Sequence, residues 1–362
     1  MSIRIPPWFT DKFPEERMQK FCHSEFGLEL FKQFLSIVGT HMFIMGNPGS
    51  GKSQKLDYFL ELLCELETII YWDTGKDDML PLFNFGKPIQ ILIPYGCMLE
   101  IKGDLPVECI ITPVMAPELF FDNIQKDWIN VISIRNFFIE EREMKKYVRA
   151  IFKGFLLKAR TGQFDSWTPA AIIADEAHAI MGSLRIDKSA EAQQTGQDAA
   201  NILKEVRSIG IRWIIISQGF YDLQGTAREN APCYVVCRGT IVDRRDNPTL
   251  NYISGFARNC EPRHGWIVLP NGRYFGRLSP MTFPYYPAPQ GIRIIYIPEF
   301  ADQPKDLELD EFLQEGRLAY SETSADLITA SLAKEDLPED LPDLGIYSAM
   351  IPSKRTGVKN AN

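Results

Sequence analysis

Residues 46–53 read GNPGSGKS: a glycine, four residues, then Gly-Lys-Ser. Glycines at these places let successive backbone N–H groups wrap a phosphate chain, and a helix starting at the lysine adds the positive end of its dipole. The spacing predicts that Gly46, Asn47, Pro48, Gly49, Ser50, Gly51, Lys52, Ser53 and Gln54 hold a nucleotide. Lys52 would reach the β- and γ-phosphates, and the Ser53 hydroxyl would ligate magnesium. ATP and magnesium are the implied ligands. A chance glycine-rich turn would lack the right flanks. Here an apolar run, HMFIM (41–45), precedes the glycines, and KSQKLDYFLELLCEL (52–66), with helical spacing, follows.

AAIIADEAH (170–178) supplies two adjacent carboxylates at the end of a short apolar strand. Asp175 can hold the magnesium shell, and Glu176 stands where a carboxylate polarises an attacking water. An acid next to the magnesium acid favours hydrolysis over transfer to a substrate hydroxyl, which argues against a kinase. His178 invites comparison with DEAH-box helicases. Such a helicase needs a second motor domain with its own arginine motif, which this sequence does not supply, so His178 is read as a local hydrogen-bonding residue.

RSIGIRWIIISQ (207–218) poses a third chemical question, because a buried apolar strand is bracketed by arginines and an amide. In an additional-strand P-loop sheet, one strand lies between those carrying the phosphate loop and the acidic pair. A polar residue at its carboxyl end points at the γ-phosphate and the lytic water. Gln218 fits that sensor position. Arg207 precedes the strand, so it would sit at the far end, beyond reach of its own nucleotide and within reach of a neighbour's in a ring. Arg212 is the reserve candidate for that role, and an ordinary exposed cation at a helix end is the plain alternative for Arg207.

These groups need elements to hold them. TIIYWD (68–73) and PCYVVCRG (232–239) read as strands, whereas 74–138 gives a mixed reading with apolar runs IQILIP, ECIITP and INVISI. ELFKQFLSIVG (29–39), residues near 117–126, EEREMKKYVRAIFKGFLLKAR (140–160) and roughly 190–206 read as helices, and WIVLPNGRYFGRL (266–278) as a hairpin turning at Asn271-Gly272. Strands alternating with helices predict an α/β fold with a mainly parallel central sheet flanked by helices, and the phosphate loop, acidic pair and polar-ended strand in this order resemble a RecA-like additional-strand P-loop NTPase.

The order of these parts resembles the FtsK–HerA superfamily of ring ATPases that pump DNA. GNPGSGKS, IIADEAH and RSIGIRWIIISQ match its three motifs in order, and YWDTGKDD (71–78) resembles its strand-two segment. GFYDLQGTARENAPCYVVCRG (219–239) and GWIVLPNGRYFGRL (265–278) resemble the stretch after the sensor and the closing hairpin, so the resemblance covers about residues 35–290. It implies an ATP-hydrolysing DNA translocase working as a ring, expected to be a hexamer, for packaging or transfer of a viral or plasmid genome. The HerA-type β-barrel, coupling-protein membrane helices and the FtsK winged helix are not recognisable. A nucleotide-gated scaffold without DNA translocation is the competing reading.

Bulk properties bound the rest. The 362 residues carry a net charge of −8. Residues 301–345 hold thirteen acids against three Lys/Arg, and residues 346–362 add three Lys/Arg, so residues 1–300 sum to only −1. A near-neutral body leaves room for local basic loops facing a polyanion. MGSLRIDKSAEAQQ (181–194), with Arg185 and Lys188, is the expected DNA-facing loop. No run suits a membrane span or a signal peptide, and seven scattered cysteines argue against a disulfide framework, so a cytoplasmic location is expected. Cys233, Cys237, Cys260 and His264 could be drawn as a zinc site, but core thiols are the preferred reading. The expected division is an arm over 1–30, the ATPase domain over 31–290, and an acidic appendage with a short basic end over 291–362, serving as a docking arm for a protein partner.

Overall fold

The structure, a computed structural model, describes residues 31–73, 79–162, 166–183, 188–261, 263–270, 275–278 and 287–297. Twelve strands fall among them: β1 (Met42–Met45), β2 (Thr68–Asp73), β3 (Ile89–Pro94), β4 (Met98–Lys102), β5 (Cys109–Val114), β6 (Ile129–Ser133), β7 (Ala170–Ala174), β8 (Ile211–Ser217), β9 (Cys233–Cys237), β10 (Gly265–Val268), β11 (Phe275–Leu278) and β12 (Arg293–Ile297). The helices are α1 (Lys52–Leu63), α2 (Glu141–Thr161), α3 (His178–Met181), α4 (Ala190–Val206), α5 (Gly225–Glu229) and α6 (Pro248–Arg258).

Ten strands form one sheet in the order β11-β10-β9-β1-β8-β7-β2-β6-β3-β5. Pairing is parallel from β5 through β9, and β10 pairs antiparallel with both β9 and β11. Strands β1, β2, β3, β6, β7 and β8 are buried at every residue, as expected of parallel strands covered on both faces. Their side chains alternate between two apolar layers. Ile70, Trp72, Ile172 and Ile215 meet α2 residues Val148, Ile151, Phe152 and Phe155, while Ile69, Tyr71, Ile173 and Ile216 share a layer with α1 residues Leu56, Phe59 and Leu63. Arg142–Glu191, Arg149–Asp198 and Arg160–Glu205 ion pairs tie α2 alongside α4.

The α/β architecture follows the sequence expectation, and several details differ. The helix expected over 29–39 is, in the described residues, a single π-helical turn at Phe31–Leu35. It cannot continue, because β-branched Ile37 and Val38 lead into Gly39 at φ 75°, whose absent Cβ would lie 2.3 Å from the Arg207 carbonyl oxygen. The piece near 117–126 is a 3₁₀ turn, Pro117–Asp122. The β10–β11 hairpin is present, with Asn271-Gly272 outside the described residues. A separate two-stranded sheet pairs β4 with β12, so the fold runs past residue 290 into the segment expected to be an appendage.

Candidate functional site

β1 delivers the chain to the carboxyl edge of the sheet, and the phosphate-loop sequence begins there. Gly49 and Gly51 lie at φ 74° and 83°, in the left-handed region where a side chain is strained. A Cβ on Gly46 would fall 2.5 Å from the Cβ of Cys237, so the loop can pass β9 only as glycine. Asn47 N–H donates to the Arg238 carbonyl at 3.1 Å, anchoring the loop to the end of β9. Asn47, Pro48 and Gly49 are exposed and Ser50 is buried. α1 starts at Lys52 with Gly51 as its N-cap and no side-chain hydrogen bond capping it, as a phosphate cradle requires. The Lys52 ammonium donates to the carbonyls of Gly46 at 2.7 Å and Asn47 at 3.2 Å, which places it over the loop. Ser53 is exposed beside it, and Gln54 is half-buried.

Asp175 follows β7 directly and is 8% exposed. Glu176 adopts φ 45°, strained for a residue with a Cβ, and its N–H donates to Asp175 Oδ1 at 2.8 Å. The turn is pinned to the neighbouring strand, since Ala177 N–H donates to the Ile216 carbonyl at 2.8 Å. His178 Nδ1 lies 3.3 Å from Glu176 Oε2, so this histidine's neighbour is the second acid itself.

β8 runs between β1 and β7. Met45 pairs with Ser217 and Ala174 with Ile215, so Gln218, one residue past the strand and exposed, stands between the loop and the acidic pair. Arg207 is exposed in a 3₁₀ turn at the other end, separated by roughly 20 Å of strand at about 3.3 Å per residue. The structure therefore brings Lys52, Ser53, Asp175, Glu176 and Gln218 to one edge and leaves Arg207 at the opposite one.

The reserve candidate Arg212 is corrected. It is fully buried, its guanidinium bonded to Glu67 at 2.5–2.9 Å and to the carbonyls of Phe34, Leu35 and Ile37 at 3.0–3.3 Å. A side chain so committed cannot leave for another subunit. Arg185 lies outside the described residues. Lys188 is exposed just ahead of α4, which starts at Ala190, so the expected loop over 181–194 ends sooner than its sequence suggested.

Sequence reasoning missed two contacts. Lys55 is buried beneath the loop and donates to the carbonyls of Gly51 at 3.2 Å and Arg263 at 3.0 Å, which fixes the loop's floor. The segments following Glu176 and Gln218 are joined: Gly182 bridges Leu223, Ser183 N–H donates to the Asp222 carbonyl at 2.7 Å, and Ser183 Oγ donates to the Tyr221 carbonyl at 2.7 Å. Cys233 and Cys237 are buried free thiols, and burial pushes both thiols up in pKa.

Ser53 and Asp175, the residues expected from the sequence to face a metal, carry a hydroxyl and a carboxylate, oxygen ligands suited to a hard cation. Among the described residues no group of three His, Cys, Asp or Glu could hold an ion unaided. Magnesium arriving with a nucleotide fits that set, since phosphate oxygens and waters complete its sphere.

No family model and no curated protein sequence matches the chain. Solved structures do. The DNA-packaging ATPase B204 of Sulfolobus turreted icosahedral virus is 15% identical, with 67% of this chain and 98% of that one covered at a TM-score of 0.43. VirB4 of Thermoanaerobacter pseudethanolicus is 11% identical over 67% and 90% of the two chains, at 0.45. EccC of Thermomonospora curvata (ATPases 2 and 3) is 14% identical over 78% and 42%, at 0.37. A likeness of this degree says nothing about substrate.

Proposed function

We propose that this chain is a magnesium-dependent ATPase of the FtsK–HerA type that moves DNA as a ring motor, for packaging or transfer of a genome. One observation carries the reading. The strand bearing Gln218 is inserted between the strand that ends in the phosphate loop and the strand that ends in Asp175-Glu176. That strand order supports reading Gln218 as the neutral amide that meets the γ-phosphate and a water, between the Lys52 ammonium and two carboxylates.

The division of labour follows from chemistry. The loop N–H groups and Lys52 hold the phosphates, and Ser53 and Asp175 would hold the magnesium ion, which when bound neutralises the β- and γ-oxygens. Glu176 accepts a proton from the water as it attacks, and Gln218 orients that water through its amide. His178, 3.3 Å from Glu176, limits the swing of the carboxylate. Arg207, exposed at the opposite end of β8, serves the site of the next subunit in a ring; a hexamer is the assembly proposed. Lys188 and Arg185 are the proposed contacts to the DNA backbone, gripping phosphates without reading bases.

No helix among the described residues is long and apolar enough to cross a membrane. The acidic segment after residue 300 is proposed as a docking arm for a protein partner.

Steady-state ATP hydrolysis with and without duplex DNA, across a salt series, tests the whole reading. Stimulation that fades with salt is expected. Hydrolysis indifferent to DNA at every salt concentration would favour a nucleotide-gated scaffold instead.

A further inference from the structure

Asp73 ends β2, and the register fixes its surroundings. Trp72 pairs with Ala174 of β7, and Asp73 pairs with Ser133 of β6. Asp175 follows Ala174, so the two carboxylates close adjacent parallel strands that run about 4.8 Å apart. They also share a side. Ile69 and Tyr71 of β2, and Ala171 and Ile173 of β7, belong to the layer packed with α1, and strand alternation carries Asp73 and Asp175 to that face. It is the face on which α1 begins with Lys52 and Ser53. Asp73, Asp175, Glu176 and Arg135 also border one small pocket, whose apolar walls Trp72, Ile134, Met144 and Val148 belong to the α2 layer.

Two hydroxyls hold the Asp73 carboxylate. Ser133 Oγ donates to Oδ2 at 2.7 Å and Tyr296 Oη donates to the same oxygen at 3.2 Å. Tyr296 arrives on β12, a strand that among the described residues pairs with β4 and takes no part in the main sheet. Its ring packs edge-on against Phe137 at 5.5 Å, which aims the hydroxyl at β2. Burial, and after it the charge of Asp73, push this phenol up, so it stays a donor at every working pH. With 1% of its surface exposed, Asp73 does not meet a nucleotide directly. Burying a carboxylate is costly unless bonds compensate it. Here the cost is met at the edge where phosphate chemistry is proposed, one strand from Asp175.

We propose that Asp73 is a positioning residue for the water shell of magnesium at Asp175, and that the Tyr296 hydroxyl, delivered by β12, fixes the carboxylate for that task. The inference rests on the nucleotide-binding reading above. Magnesium sheds water reluctantly, so an ion held by Ser53, Asp175 and phosphate keeps several waters, and a carboxylate behind Asp175 can accept their protons as hydrogen bonds. Outer-sphere partners of this kind change metal affinity by about 10- to 100-fold.

The test is the affinity of the full chain for a fluorescent non-hydrolysable ATP analogue, titrated with magnesium, in wild type, Asp73→Asn, Tyr296→Phe and the double variant. Asp73→Asn is expected to raise the magnesium midpoint by on the order of tenfold while affinity measured in EDTA stays unchanged. Tyr296→Phe keeps the ring on Phe137, loses only the hydroxyl, and should give a smaller rise that vanishes in the Asp73→Asn background. Phe137→Leu, which loosens the packing that aims the hydroxyl, should raise the midpoint by no more than Tyr296→Phe does. If Asp73→Asn fails to fold, Tyr296→Phe alone decides, and a wild-type midpoint there overturns the proposal. So does an Asp73→Asn midpoint equal to wild type, or a Tyr296→Phe effect that persists undiminished in the double variant. A wild type that binds the analogue equally with and without magnesium overturns this inference and leaves nucleotide binding standing. A wild type that binds no analogue overturns both.

Discussion

Arg212 and Glu67, 145 residues apart in the chain, meet as a fully buried ion pair at 2.5–2.9 Å under the amino end of β8. The remaining guanidinium donors reach the carbonyls of Phe34, Leu35 and Ile37, and the Phe34 ring lies 4.7 Å beneath the guanidinium carbon. One arginine thereby staples the first described turn, the end of α1's following loop and the central strand together. Removing one partner of a buried pair leaves the other charge uncompensated, at a cost of about 3–5 kcal/mol. Arg212→Met should therefore lower Tm sharply, and the fraction that remains folded should still bind ATP with wild-type affinity. A stable Arg212→Met that binds ATP yet hydrolyses poorly would return this arginine to the list of catalytic candidates.

This pair also marks a limit of sequence reading. Arg207 and Arg212 stand five residues apart, and the sequence ranks Arg212 second because it begins the strand itself and can pack there, without showing what it packs against. Only the fold reveals that Glu67 waits beside one and solvent beside the other. The strands β1, β2, β7 and β8 were legible because each is a short apolar run bounded by turn residues or a polar end, and the phosphate loop because its glycines are a backbone requirement. β4 was not legible. MLEIK alternates exposed and buried residues over only five positions, and its partner β12 lies some 190 residues later. Asp73 was visible as part of a motif, whereas Ser133 and Tyr296, the donors that hold it, come from strands far along the chain.

Lys52 and Glu176 should separate binding from turnover. The Lys52 ammonium already lies over the loop, 2.7 Å from the Gly46 carbonyl, where phosphate oxygens would replace carbonyl oxygens. Lys52→Ala should abolish ATP binding in an equilibrium titration. Glu176→Gln keeps shape and hydrogen bonding while losing the proton acceptor, so ATP should bind with little change and hydrolysis should fall by a factor of at least about 100. ATP affinity unchanged in Lys52→Ala would contradict the phosphate assignment, and normal turnover in Glu176→Gln would contradict the role of that acid.

His41 should make stability depend on acid. It is fully buried; its Nε2–H donates to the Leu203 carbonyl at 2.7 Å and its Nδ1 accepts from Trp213 N–H at 3.0 Å, so the ring is held neutral in one tautomer. Burial is the main cause of a pKa lowered from 6.5 to about 4. The unfolded chain takes up the proton first as pH falls. Stability is thus fully present above about pH 6.5, declines between there and about pH 4, and loses on the order of 3 kcal/mol across that window from this group. Urea unfolding of wild type and His41→Asn at pH 7 and pH 5 checks it. The gap between the two proteins should narrow at pH 5, and an equal gap at both values would refute the assignment.

Arg207 remains the residue whose role only an assembly can show. It is exposed in the 3₁₀ turn that opens β8, and its own carbonyl is locked against Gly39, so the backbone beneath the guanidinium is fixed while the side chain is available. Roughly 20 Å of strand keeps it from its own phosphate loop. Water attack on ATP spreads charge over the γ-phosphoryl oxygens, and an arginine supplied by a neighbour is worth on the order of a thousandfold in rate. Arg207→Ala should bind ATP and assemble as wild type does, and hydrolyse poorly. Mixing it with Lys52→Ala should restore part of the activity, because an intact phosphate loop from one subunit then meets an intact arginine from the other. Mixed rings that demonstrably co-assemble and still recover nothing would show that Arg207 does not act across the subunit boundary.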